Sequence, residues 1–90
     1  MVTATLARIE HADLPWLADV LYISPLEPSD GACAEVVRSA IVASLGRHCC
    51  DVLACAAEVA QEAGDHPEIY LPRMRWALRA VARAFPDAAR

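Results

Sequence analysis

Apolar side chains return every three or four positions from Leu14 to Phe85, and that period leaves little room for anything except amphipathic helices. Trp16, Leu17, Val20, Leu21 and Ile23 make a first stripe. Cys33, Val36, Val37, Ala40, Ile41, Ser44 and Leu45 make a second. Val52, Leu53, Ala56, Val59 and Ala60 are expected on the buried side of a third helix, and Met74, Leu78, Val81, Ala82 and Phe85 on that of a fourth. The punctuation agrees with this division. Asp13 before Leu14-Pro15 is a capping carboxylate followed by a first-turn proline. Pro25 and Pro28 end the first helix, and Ser29 or Asp30 caps the next. Gly46 breaks or bends the chain, Gly64 and Asp65 stop the third helix, and Pro86 stops the last. The spacing therefore predicts helices over 14–23, 30–45, 47–63 and 72–85, packed as a small irregular four-helix, all-α bundle in one domain, 1–90. Residues 3–9 read equally as a short extended segment or a frayed helical turn.

Ninety residues bury a modest core, and much of the 57% hydrophobic share is alanine, which favours helix but contributes little burial. A small core with so much apolar surface is commonly completed by a second copy, so a homodimer is expected. All basic residues are arginine, as in proteins of high-GC bacteria. The net charge of −4 conceals a division. Residues 1–70 carry three arginines and eleven carboxylates, whereas residues 71–90 carry five arginines and one aspartate, so −8 faces +4. The C-terminal segment is thus expected to meet something negative.

No basic region followed by an apolar run marks a secretory leader, and Arg47 and Asp51 interrupt the longest apolar stretch, 39–57. Cys33, Cys49, Cys50 and Cys55 show no paired framework and read as reduced thiols. A cytoplasmic protein without membrane contact is expected. Residues 5–21, with Ile9-Glu10-His11-Ala12-Asp13-Leu14-Pro15, resemble the opening strand and helix of acetyltransferases of the GNAT type. No Gly-rich pyrophosphate-binding turn follows, so the resemblance implies no cofactor or site residue here.

Three groups of residues carry the candidate chemistry. His48, Asp51, Cys55, Glu58 and Glu62 fall within a helical sector of about 80°. An imidazole, a thiol and carboxylates so placed suit a borderline transition metal, with His48, Asp51 and Cys55 as ligands, or else form an ordinary solvated or salt-bridged face. Arg75, Arg79 and Arg83 recur every four residues, with Arg73 towards the other flank and Trp76 placed to stack on a guanidinium. That stripe can contact nucleic-acid phosphates, or pair with Asp51, Glu58 and Glu62 in the same chain or a second copy. Reading Ala43-Ser44-Leu45-Gly46 as a helix-turn-helix corner gives a recognition helix bearing Asp51, Glu58 and Glu62, which repels phosphate. Any DNA contact is therefore expected from the C-terminal helix.

The three histidines are scattered, and no nucleophile elbow, phosphate loop or Ser-His-Asp order is present. Carboxylates near Cys55 oppose its activation by His48. The leading expectation is a non-catalytic protein–protein interaction or regulatory module, homodimeric and without cofactor. Its anchors are Trp16, Tyr22, Trp76 and Arg79, the residue types that dominate interface energies, although the tryptophans serve equally as core. A DNA-associated regulator and a transition-metal binder are the alternatives.

Overall fold

A computed structural model describes residues 13–30, 33–47 and 52–88. Among them the elements are α1 (Leu14–Tyr22), a single 3-10 turn at Pro28–Asp30, α2 (Ala34–Arg47), α3 (Val52–Asp65) and α4 (Pro67–Ala84), with no strand. The chain is a small all-α bundle. The stretch expected as strand or turn, 3–9, lies outside the described residues, as do 48–51.

α1 begins where its punctuation says. Asp13 is extended at φ −73° and ψ 151°, a proline occupies the first turn, and the Leu17 N–H donates to Asp13 O at 3.1 Å. The Asp13 side chain makes no capping hydrogen bond. Leu17, Ala18, Val20, Leu21 and Tyr22 are all buried, so α1 is enclosed on most sides and packs against α2, α3 and α4. Its Leu17, Val20 and Leu21 meet Val37, Ile41 and Leu45 of α2 and Ala77, Ala80 and Val81 of α4 in one core. Each such leucine or isoleucine withdrawn from water contributes about 2 kcal/mol. Ser44, in the same layer, is fully buried with no hydrogen-bond partner for its Oγ.

Boundaries in α2, α3 and α4 differ from the sequence reading. α2 starts at Ala34, because 28–30 form their own 3-10 turn, and it runs through Gly46 to Arg47 instead of breaking there. α3 likewise includes Gly64 and Asp65. α4 starts at Pro67, where a missing N–H costs nothing, and Pro72 sits inside it. Tertiary contacts on both sides of Pro72 hold that helix together. Tyr70 lies 5.8 Å from the Tyr22 ring, and Arg73 is tied to the end of α1.

α3 is also rotated from its expected orientation. Cys55 and Val59 are buried, whereas Leu53 is 82% exposed and Ala60 lies in solvent. Alanines make the apolar arc of this helix so wide that periodicity does not fix which part of it turns inward.

Candidate functional site

The C-terminus of α1, the last turns of α3 and the first turns of α4 enclose an open cleft of about 460 Å³. Tyr22, Ile23, Ser24 and Glu27 line it from the α1 side, Glu58 and Glu62 from α3, and His66, Ile69 and Arg73 from α4 and its entry. A smaller extension of about 180 Å³ continues along Gln61 and Asp65.

The cleft exists because α1 ends in Tyr22-Ile23-Ser24-Pro25, which turns the chain and leaves carbonyls without intrahelical donors. Ser24 Oγ donates to Leu21 O at 2.6 Å. Arg73 reaches three further carbonyls from α4. Its Nε donates to Tyr22 O at 2.9 Å, and its Nη2 donates to Ser24 O at 2.9 Å and Leu26 O at 3.0 Å. The guanidinium lies 5.3 Å from the Tyr22 ring centroid and 5.0 Å from that of Trp76, and its Nη1 approaches Glu27 Oε2 at 3.8 Å. Arg73 is therefore a helix clamp. A cation at a helix C-terminus is favourable, and α1 has no basic residue of its own in its last turn.

The electrostatics of the cleft are negative around that clamp. Burial raises the pKa of Tyr22 above its ordinary value of 10.0, and the Glu62 carboxylate raises it further against the lowering influence of Arg73. His66 Nδ1 stands 3.8 Å from Glu68 Oε1, with both side chains more than half exposed.

The sequence-derived sites are distributed as follows. Tyr22 is buried and lines the cleft, while Trp16 and Trp76 are partly buried against the core. The guanidinium on which Trp76 stacks belongs to Arg73. Arg75, Arg79 and Arg83 are exposed on the outward side of α4 and pair with no carboxylate among the described residues. Glu58 and Glu62 face the cleft instead of that stripe. Arg73 departs from the stripe altogether, since its side chain is only 16% exposed. For the metal set, His48 and Asp51 lie outside the described residues, and Cys55 is fully buried in the core cluster. No group of three metal-ligating side chains occurs among the described residues. No helix among them is long and apolar enough to cross a membrane.

Ser24 and Glu27 of the cleft escaped the sequence reading, as did two further residues. Ile69 and Arg38 were in no candidate set, and only the chain's folding brings Ile69 to the cleft and Arg38 to the end of α4. No protein family, curated protein or solved structure matches this chain.

Proposed function

We propose that the chain is a non-catalytic interaction module, homodimeric and cytoplasmic, that offers the α1–α3–α4 cleft to a partner polypeptide. The observation that carries this reading is the pair Ile69 and Leu71, 53% and 52% exposed in the first turns of α4, with Ile69 on the wall of a charge-rimmed cleft. Large apolar side chains left in solvent beside a polar rim have the composition of a contact surface. Leu53, at 82% exposure on the outer side of α3, adds a second uncovered apolar point suited to a subunit contact. A buried thiol at Cys55 and an exposed one at Cys33 fit a reducing compartment. Sedimentation at increasing protein concentration tests the assembly. A dimer is expected in the micromolar range, and a strict monomer at high micromolar concentration removes it.

A second reading rests on Arg75, Arg79 and Arg83, which stand about 6 Å apart along α4 and are not engaged by described carboxylates. These three, without Arg73, are the phosphate contacts of a DNA-associated regulator. Its binding falls steeply with salt, and an affinity indifferent to salt excludes it.

A further inference from the structure

We infer that the cleft recognises an arginine side chain carried by the partner polypeptide. The inference rests on the interaction-module reading and adds the chemistry of the occupant. Three features of different kind converge on a cation with an apolar stem. The first is the cavity itself, whose roughly 460 Å³ falls within the about 300–1,000 Å³ of ligand clefts. Its Ile23 and Ile69 walls and Tyr22 ring suit methylene groups.

The second is the balance of formal charge. Glu27, Glu58 and Glu62 line the cleft, and Asp65 its extension, against Arg73. The guanidinium of Arg73 is already committed to three carbonyls and to Glu27, and Glu27 and Glu58 hold further contacts of their own. Glu62 and Asp65 leave the surplus.

The third is the pair of helix ends. Both α1 and α3 finish here, and neither has a basic residue in its last turn. Each presents the negative end of its dipole. Arg73 serves α1, and the backbone N–H of His66 closes on Glu62 O at 2.8 Å, but no side-chain cation is supplied in α3's last turn. The opposing positive end, that of α4, already has Glu68 in its first turn. A guanidinium fits this arrangement better than an ammonium, because its planar fork pairs bidentately with a carboxylate and stacks on aromatic rings.

The test is a resonance-by-resonance titration of the full chain with acetyl-Leu-Arg-Leu-amide. Its controls are the same peptide with citrulline, which keeps the shape and loses the charge, and free butylguanidinium. The arginine peptide is expected to shift Glu62, His66 and Ile69 and to bind about tenfold more tightly than the citrulline peptide. Glu62→Gln is expected to weaken it about fivefold, while Glu35→Gln, at an exposed carboxylate outside the cleft, leaves it unchanged. Glu62 is exposed, so this substitution leaves the fold intact, and unchanged helical dichroism verifies that. Equal affinity for citrulline, indifference to Glu62→Gln, or shifts confined to α4's outward arginines would overturn the inference. Butylguanidinium binding as tightly as the peptide would also overturn it, since the site would then serve a free small cation. Sedimentation of the same samples separates the two claims, because a dimer that ignores the arginine peptide removes this inference alone.

Discussion

Arg38 and Arg73 perform the same operation at two ends of the molecule, and the difference between them sets the cleft end apart from the other. Arg38 reaches from α2 to the C-terminus of α4, where Nε and Nη2 both donate to Ala84 O, at 3.2 and 2.8 Å, while the guanidinium lies 5.3 Å from the Phe85 centroid. Arg73 reaches from α4 to the C-terminus of α1 and spreads its donors over three carbonyls and its plane over two aromatic rings. Arg38 is exposed and serves one acceptor; Arg73 is largely enclosed and organises the turn from Tyr22 to Leu26. The first clamp only fastens a helix end. The second also shapes the floor of the cleft.

Removing Arg73 is therefore the largest expected effect. Arg73→Ala leaves the carbonyls of Tyr22, Ser24 and Leu26 short of donors and strips the guanidinium from two rings, at a cost of about 3 kcal/mol in chemical denaturation. Arg73→Lys keeps the charge but cannot reproduce the fork, so about 2 kcal/mol is still lost. If lysine proves as good as arginine, the clamp is simple charge at a helix end and the directional account fails.

The contrast sharpens with Arg38→Ala, for which about 1 kcal/mol is expected, since the lost acceptor lies where water can replace the donor. A loss equal to that of Arg73→Ala would make the two clamps equivalent. Amide exchange separates them further. Arg73→Ala is expected to loosen 22–26 and the cleft, whereas Arg38→Ala loosens the final turn of α4 alone.

What was legible in the sequence follows from how local the cause is. The start of α1 is written in Asp13-Leu14-Pro15, and the existence of helices in the 3.6-residue period. The start of α4 was not legible, because Pro67 and Pro72 are both plausible first-turn prolines. The Tyr22–Tyr70 contact and the Arg73 clamp, both long-range, flank Pro72 in the helix that runs past it. The rotation of α3 was hidden for a different reason. Alanines at 54, 56, 57, 60 and 63 spread apolarity around the helix, so the thiol of Cys55 could turn inward and Leu53 outward without any breach of pattern. Glu58 and Glu62 share a helix face and both line the cleft, whereas Cys55 of that face is buried in the core. The clamp role of Arg73 was not legible, because arginine spacing alone does not distinguish a guanidinium facing phosphate from one facing carbonyls.

The smallest predicted effect probes the field within the Arg73 end without perturbing the Arg73 clamp. Burial first and Glu62 second hold the Tyr22 hydroxyl protonated above its ordinary 10.0, with Arg73 pulling the other way and Tyr70 adding to the rise. In the unfolded chain Tyr22 ionises near pH 10. The folded form keeps its proton longer, so the stability contributed by this group is complete below that pH and lost as pH rises through the folded value. Tyrosinate absorbance in a Tyr70→Phe background isolates Tyr22, because the chain has two tyrosines. The midpoint should exceed that of the denatured protein, and Glu62→Gln should lower it while Arg38→Ala leaves it in place. Were Glu62→Gln to leave the midpoint unmoved, the negative field of α3's last turns would not reach the cleft floor. The two ends of the molecule would then differ in hydrogen bonding, ring contacts and burial but not in field.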